Sequence, residues 1–449
     1  MLEASQTAMG PASKRLARMI TSLSNPDPLP FGTVSRIIGM TIEAKGLMAS
    51  LGTVCIIQSV SGTTVEAQVV GFKESILLLM PFEGTSGLEL GARIRLKSRS
   101  DQAQVGQEAL GRVLDARGDP LDGMSPPRCS QSVPLSGVPI NPMSRDPVDE
   151  ILDIGVRAIN GLLTMGCGQR IGLIAGSGVG KSVLLGMMTR FSNADVIVIG
   201  LIGERGREVK EFIEKILGVE GLSRSVVIAS PADSSPLLRM RGASLAHCYA
   251  EYFRDQGKNV LLLMDSLTRV AHAQREIGLA VGEPPTVKGY PSSVFSLLPK
   301  MIERTGRGDG GRGSITAIYT VLAEGDDLND PVVDIARAAL DGQIALSREL
   351  ADEGHFPAID LQGSVSRLMQ VLQTKENQKR AATFRKLWAS FQQNKDLVQV
   401  GAYQSGTNTD LDHALSIKDG MLKFLLQDMN EECLLESSLH DLSVLLDGE

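Results

Sequence analysis

The chain has 449 residues, 43% of them hydrophobic, which suits two or three folded domains rather than a disordered or fibrous protein. Its formal net charge is −7 and only 4% of its residues are aromatic, so the composition argues against a protein devoted to nucleic-acid binding. The five cysteines form no C-x-x-C pair and the five histidines have no metal-ligand spacing. This argues against a disulfide framework or a zinc site and favours a reducing compartment.

Residues 1–30 are predicted to form a short amphipathic helix on a flexible joint. Leu16, Met19 and Leu23 recur at helical spacing beside basic residues, and a proline-rich stretch, 25–30, follows. Two interpretations stay open: a helix that docks on a partner or a membrane surface, and a helix that packs on its own protein. Because no apolar run approaches the roughly 18 residues of a membrane span and the N-terminus lacks the apolar core of a secretory signal, we expect a cytoplasmic protein.

The rest of the chain divides by composition into three predicted domains. In residues 31–97 short β-rich runs alternate with Gly and Ser turns, which indicates a small antiparallel barrel or sandwich. Residues 98–370 are expected to form an α/β domain that opens with a Pro- and Gly-rich connection, 98–150. Its candidate strands are continuously apolar, as in a parallel sheet buried on both faces; they are 170–174, 196–202, 225–230, 259–264 and 314–321. Residues 371–449 have helical periodicity and no strand candidate.

A predicted phosphate-binding loop, 175–182, is the most specific motif of the chain. It follows an apolar run and precedes a helical segment. Backbone N–H groups of the loop, together with the positive end of the helix, can hold phosphate oxygens; the residues concerned are Gly176, Ser177, Gly178, Val179 and Gly180. Lys181 would neutralise the β- and γ-phosphates, and Ser182 would supply a Mg²⁺ ligand. The usual motif begins with Gly, where this chain has Ala175.

A second carboxylate for magnesium is predicted at Asp265. It ends the apolar run 260–264, so its side chain should emerge at the carboxyl edge of the sheet, beside the phosphate loop. The alternative is an Asp that caps the next helix, and both roles can coexist.

The residue that activates water has to be found elsewhere. Many hydrolases of this broad class carry Glu directly after the magnesium Asp, but here Ser266 follows. Glu204 ends the neighbouring predicted strand and would leave the sheet at the same edge, where it could accept a proton from the attacking water. Arg205 could reach phosphate. From the residues alone, simple ion pairs of Glu204 and Glu208 with the adjacent arginines are an equally open interpretation.

An arginine at the developing charge assists phosphoryl transfer and often comes from another subunit. The phosphate loop contains none. Arg367 follows a proline-containing turn, 355–361, and a short polar segment, which is a suitable place for a fixed arginine. An ordinary surface arginine is the alternative interpretation.

Together these motifs resemble the rotary ATPase family and, within it, the flagellar or type III secretion export ATPases. The residues that carry the resemblance are 176–182, 202–208, 262–269 and 357–367, with support from 282–285, 289–291, 319–327 and 401–403. The similarity runs from about residue 31 to the end. It implies a small N-terminal β-barrel, a central RecA-like α/β P-loop domain with a parallel sheet, and a C-terminal α-helical domain.

The resemblance also implies the ligands and the roles of individual residues. ATP and Mg²⁺ would be bound, and the Gly401-Ala402-Tyr403 run favours the flagellar system. By this resemblance, Lys181 and Ser182 would bind phosphate and Mg²⁺, and Asp265 would be the Walker-B carboxylate that holds the ion. Glu204 would be the catalytic carboxylate, and Arg205 would contact phosphate. Arg367 would be the arginine finger offered to the neighbouring subunit, and Phe356 would pack on adenine.

Such proteins form a homohexamer with sites between subunits. The implied partners are a stator-like regulator on the N-terminal tail, a coiled-coil stalk protein in the pore, a membrane export gate, and export chaperones with their substrates, but no nucleic acid. The protein would associate peripherally with the inner face of the cytoplasmic membrane. Ser292 stands where the family often has a second Pro after Gly289-Tyr290-Pro291, which concerns only the pore-facing loop.

Three other functions compete with this prediction. The catalytic subunit of a proton-pumping rotary ATPase is disfavoured because no long insertion separates the barrel from the core. A non-catalytic ring subunit is disfavoured because such subunits tend to lose the carboxylate at Glu204. An RNA translocase of the Rho type is disfavoured by the acidic charge and the scarce aromatic residues in 31–97.

Overall fold

A computed structural model describes residues 31–60, 62–98, 102–322 and 330–448 of the chain. The predicted amphipathic helix in 1–30 lies outside these residues. The fold divides into two compact units, one up to residue 99 and one from residue 100 onward. None of the described helices is both long enough and apolar enough to cross a membrane.

The first unit is a closed barrel of six antiparallel strands. Their order around the barrel is β1-β2-β5-β4-β3-β6, and their bounds are β1 Gly32–Ile38, β2 Thr41–Lys45, β3 Val54–Gln58, β4 Thr64–Lys73, β5 Ile76–Pro81 and β6 Arg93–Ser98. Buried and more exposed residues alternate along β3 and β4, as expected of strands with one face inside. Ile42, Ile57, Leu79 and Ile94 fill the interior. The predicted barrel is confirmed.

The second unit is built on a sheet with mainly parallel strands. Its order is β19-β18-β12-β17-β15-β13-β14-β8, with β16 paired to β17 at one side. The strands are β8 Arg112–Leu114, β12 Arg170–Ala175, β13 Val196–Ile202, β14 Ser225–Ser230, β15 Asn259–Asp265, β16 Gly306–Arg307, β17 Ser314–Leu322, β18 Gly342–Leu346 and β19 Ile359–Ser366. All five predicted strands are present, and β13 and β14 are buried along their whole length.

Residues 98–150, interpreted from sequence as a connection, also contribute to the sheet. Strand β8 pairs in parallel with β14 and forms the edge. Smaller pairs join β7 Gln102–Val105 to β9 Gln131–Pro134, and β10 Ile151–Leu152 to β11 Met165–Gly166. Three residues are too few for a strand signal in the sequence, so β8 was not predicted.

The helices of the second unit cover both faces of this sheet. Those up to residue 352 are α1 Arg157–Leu162, α2 Lys181–Phe191, α3 Gly206–Glu211, α4 Gly218–Ser223, α5 Pro236–Asp255, α6 Leu267–Ala280, α7 Ser292–Ile302, α8 Pro331–Ala339 and α9 Arg348–Asp352. A π-helical segment, Phe212–Leu217, joins α3 to α4. The remaining helices are α10 Met369–Leu372, α11 Lys375–Gln393, α12 Lys395–Gln399, α13 Thr409–Ser416, α14 Lys418–Leu425 and α15 Leu435–Asp447.

Two hydrophobic cores lie on opposite faces of the sheet. One contains residues of α5 to α8, such as Tyr249 and Leu298. The other contains Leu184 and Leu185 of α2 together with Phe384 and Phe424 of the C-terminal helices. The predicted helical C-terminal region is confirmed, and it shares this second core with the helix that follows the phosphate loop.

Candidate functional site

The phosphate loop leaves the sheet at the carboxyl end of β12 and opens α2. Gly178 and Gly180 have φ of +80° and +85°, a conformation that residues with a Cβ rarely adopt. Gly180 is the N-cap of α2, so the first N–H groups of the helix stay available to an anion. Ala175 is the last residue of β12 and is not among the described residues with positive φ. Its methyl group therefore needs no special backbone conformation, so Ala fits at a position where the usual motif has Gly.

Two carboxylates meet the loop lysine, and they come from neighbouring strands. Asp265 is the last residue of β15, and Glu204 follows β13 by two residues. Because β13 and β15 pair in parallel, both side chains emerge at the same edge of the sheet. The Nζ atom of Lys181 lies 2.6 Å from Oδ1 of Asp265 and 3.5 Å from Oε1 of Glu204. The structure thus brings together the three residues that the sequence placed at this edge.

Burial and charge shift the pKa values of this cluster. Burial and the nearby Asp265 raise the pKa of Glu204 to about 7, although Lys181 opposes the shift. Burial would lower the pKa of Lys181, but Asp265 and Glu204 outweigh it and raise that pKa above its usual value. A carboxyl group with a pKa near neutrality is suited to accept a proton from water at physiological pH.

The helix-cap interpretation of Asp265 is wrong, since Ser266 has that role. The Ser266 hydroxyl accepts the backbone N–H of Arg269 at 3.3 Å and caps α6. The Asp265 carboxylate instead accepts bonds from Lys181 and from the Thr320 hydroxyl. Asp265 is therefore oriented toward the phosphate loop and not toward its own helix.

The interpretation of ion pairs with the adjacent arginines holds for Glu208 but not for Glu204. Arg205 pairs with Glu208 at 3.5 Å, and its side chain is 83% exposed. Glu204 instead forms an ion pair with Lys181, whose Nζ atom lies 3.5 Å from its buried Oε1 atom.

A cavity of about 610 Å³ lies beside the phosphate loop and Glu204. Eight of the predicted site residues line it: Gly176, Ser177, Gly178, Gly180, Lys181, Ser182, Glu204 and Arg205. Val179, Asp265 and Phe356, also predicted for this site, are not among the lining residues, and the side chains of the first two are buried. Sequence reasoning missed three further arginines of the lining, Arg239, Arg269 and Arg348. Arg269 lies four residues after Asp265, a spacing that could have identified it, whereas Arg239 and Arg348 come from remote elements.

Arg269 is held close to the end of β13. A Cβ atom on Gly203, which has φ of +74°, would lie 2.8 Å from Cβ of Arg269, so only glycine fits there. The Nε atom of Arg269 is buried without a hydrogen-bond partner. Arg239, by contrast, already has an ion-pair partner, because its Nη2 atom donates to both carboxylate oxygens of Glu276, at 2.9 and 3.0 Å.

Phe356 and Arg367 lie at the two ends of one strand. Phe356 precedes β19 and packs on the phosphate loop, because a Cβ on Gly180 would lie 3.3 Å from its ring. The Phe356 side chain is also accessible to a ligand, since 44% of the residue's surface is exposed. Arg367 follows β19, is exposed, and donates from Nη2 to the Arg337 carbonyl at 3.2 Å. It is not part of the cavity lining of its own chain.

The donors at the cavity fit a magnesium–nucleotide complex. Ser182 of the lining and Asp265, which contacts Lys181 of the lining, offer hard oxygen ligands. The lysine and arginines of the lining offer partners for phosphates. Glu204 and Arg269 both line this space. Within the described residues no group of three or more His, Cys, Asp or Glu side chains could hold a metal. Mg²⁺ usually retains waters and phosphate oxygens and takes few protein ligands. The fold and the site define a P-loop nucleotide-binding protein.

Comparison with known proteins agrees with this class. The nucleotide-binding domain of the ATP synthase alpha/beta family matches residues 155–366, and its beta-barrel domain matches 34–96. The T3SS EscN ATPase C-terminal domain matches 373–443. The flagellum-specific ATP synthase of Pseudomonas aeruginosa is 53% identical over 442 residues, 97% of this chain and 98% of the relative. The chain belongs to the family of flagellum-specific ATP synthases and type III secretion ATPases.

A type III relative and a solved structure support the same assignment. The type 3 secretion system ATPase of Xanthomonas euvesicatoria is 44% identical over 418 residues, 93% of this chain and 94% of the relative. The structure of the assembled ATPase EscN from the type III secretion system of enteropathogenic E. coli superimposes with a TM-score of 0.87 at 42% identity, over 92% of this chain and 99% of that chain.

Proposed function

We propose that this chain is a Mg-ATP-hydrolysing hexameric motor that energises type III protein export of flagellar components by unloading chaperone–substrate complexes at the export gate. The meeting of Glu204 and Asp265 at Lys181 carries the proposal, because these are the groups that a water, a magnesium ion and a phosphate require. The flagellar assignment is supported by the name of the relative that is 53% identical over nearly the whole chain.

In the proposed site each group has a separate task. The loop N–H groups and Lys181 bind the β- and γ-phosphates, and Ser182 and Asp265 hold Mg²⁺, which would neutralise phosphate charge. Glu204 orients water and accepts its proton. Arg205 and Arg269 contact phosphate, and Phe356 packs on adenine, for which its exposed ring beside Gly180 is suitably placed.

Arg367 is proposed to complete the site of a neighbouring subunit. It is exposed and outside its own cavity, as a group offered to another chain has to be. The solved relative is an assembled ATPase, and it has also been solved with its central stalk EscO. By analogy we assign this chain a homohexamer and a coiled-coil stalk partner.

The remaining parts of the proposal concern the domains and their partners. We assign ring formation to 31–97, ATP hydrolysis to 98–370 and helical contacts to 371–449. The tail, 1–30, would bind a stator-like regulator and keep the protein at the inner face of the cytoplasmic membrane. The export gate and the chaperone–substrate complexes are assigned by resemblance to the family.

A complementation experiment tests the shared site. Glu204→Gln and Arg367→Ala should each hydrolyse ATP at least about 100-fold more slowly than the parent, since each removes a group needed in the transition state. When the two variants are mixed, some interfaces pair an intact Glu204 with an intact Arg367, so steady-state ATPase activity should reappear.

Two results would contradict the proposal. If Glu204→Gln hydrolyses ATP at the parental rate, the assignment of the water-activating group fails. If the mixture is as inactive as its components while mixed rings form, Arg367 does not act on a neighbour. Lys379→Ala, on the exposed surface of α11, is the matched control and should leave activity unchanged.

A further inference from the structure

The carboxylate of Asp265 has a second partner, which belongs to the body of the sheet. The hydroxyl of Thr320 donates to Oδ1 of Asp265 at 2.7 Å. Both residues are almost completely buried, with 0% and 4% of their surfaces exposed. Thr320 stands on β17, which pairs directly with β15. The contact thus joins two central strands behind Lys181, which contacts Asp265 and lines the nucleotide cavity.

Geometry decides where the single hydroxyl proton of Thr320 goes. The two acceptors within reach are Oδ1 of Asp265 at 2.7 Å and the Met264 carbonyl at 3.3 Å. A bond to a charged carboxylate is shorter and stronger than one to a neutral carbonyl, so the proton is donated to Asp265.

Lys181 is the other donor to the same oxygen, at 2.6 Å. The two donors differ in how freely they can move. The ammonium group of Lys181 ends a flexible four-carbon chain and is needed by the phosphates when a nucleotide enters. The hydroxyl of Thr320 is bonded directly to Cβ. Because a β-branched side chain on a central strand has few allowed rotamers, this hydroxyl stays in place. Once Lys181 turns to phosphate, Thr320 remains to hold Oδ1.

We propose that Thr320 is a positioning residue for magnesium: its bond to Oδ1 fixes the orientation of the Asp265 carboxylate, which would hold the ion. This inference rests on the proposed function, since it concerns the same Mg–nucleotide site. Groups that hydrogen-bond to a metal ligand fix its orientation, and their loss typically weakens metal binding or activity by roughly 10- to 100-fold.

The test measures binding of a fluorescent ADP analogue to the full chain as free Mg²⁺ is varied, and again with the metal chelated. Thr320→Val keeps the branched shape and removes the hydroxyl. It should raise the Mg²⁺ concentration for half-maximal binding by roughly 10-fold or more. Affinity for the metal-free nucleotide should stay unchanged, and Thr320→Ser should restore the parental Mg²⁺ dependence.

Thr316 provides a matched control on the same strand and the same face. It is also buried, but its hydroxyl accepts the Gly168 N–H at 2.8 Å, away from the cavity. Thr316→Val should lower the melting temperature without changing the Mg²⁺ dependence. If Thr320→Val does not fold, Thr320→Ala serves in its place, since it removes the same hydroxyl without adding a methyl group.

The outcomes separate this inference from the function on which it rests. An unchanged Mg²⁺ dependence in Thr320→Val overturns the role of Thr320, and so does an equal loss of affinity with and without metal. Absence of nucleotide binding by the parent chain in excess Mg²⁺ would instead overturn the proposed function.

Discussion

At the scale of single residues, the site is organised by how two carboxylates share one lysine. The Nζ atom of Lys181 lies 2.6 Å from the Asp265 carboxylate and 3.5 Å from the Glu204 carboxylate. The closer carboxylate is the one assigned to Mg²⁺, and the more distant one, whose pKa is raised to about 7, is assigned to water. Different surroundings thus separate the tasks of two chemically similar groups.

The raised pKa of Glu204 predicts the pH dependence of catalysis. With Mg²⁺ in excess, kcat/KM for ATP should rise with pH through about 7, because this ratio reports the free enzyme and Glu204 has to be ionised to accept a proton. The measurement is a steady-state pH profile of the parent. An inflection near pH 4.5, the ordinary value for Glu, would contradict the assignment.

The same shift gives a stability effect of known sign. Between about pH 4.5 and 7 the folded chain holds a proton on Glu204 that the unfolded chain has lost. The contribution of Glu204 to stability therefore falls as pH rises through this window. Glu204→Gln, which cannot ionise, should lack this decline when melting temperatures of the two proteins are compared across pH.

At the scale of helices and strands, sequence reasoning succeeded where an element is long or a motif is local. The five apolar strands and the loop at 175–182 were predicted because burial on both faces and a glycine pattern leave direct signals. Strand β8 was missed because three residues are too few to show a recognisable hydrophobic pattern. Arg239 and Arg348 were missed because their places at the cavity depend on how remote helices pack, which no local pattern records.

Packing between elements predicts a large effect for one aromatic residue. Phe384 of α11 is fully buried in the core that also contains Leu184 and Leu185 of α2. Phe384→Ala should lower the free energy of unfolding by about 3–5 kcal/mol, because it leaves a cavity in a shared core. Chemical denaturation measures the change, and Lys379→Ala on the same helix should stay within about 0.5 kcal/mol of the parent. A loss as small as that of the control would show that α11 is packed loosely.

At the scale of the whole molecule, the proposed ring makes activity depend on assembly. Specific ATPase activity should rise with protein concentration and fall on dilution, since a lone subunit lacks the arginine of its neighbour. Sedimentation at matching concentrations should show the larger species appear together with the activity. Equal specific activity in a dilute monomer would contradict the shared site.

Strand β19 has a consequence for such a ring. It begins at Ile359, three residues after Phe356, whose ring packs against the phosphate loop. It ends at Ser366, one residue before Arg367. Its eight residues span roughly 25 Å. Under the proposed function, one end of the strand touches the nucleotide of its own subunit and the other end reaches the nucleotide of the next. A shift of β19 caused by nucleotide binding at one site would then alter the geometry of the adjacent site. The sites around the ring would therefore hydrolyse ATP in a correlated order.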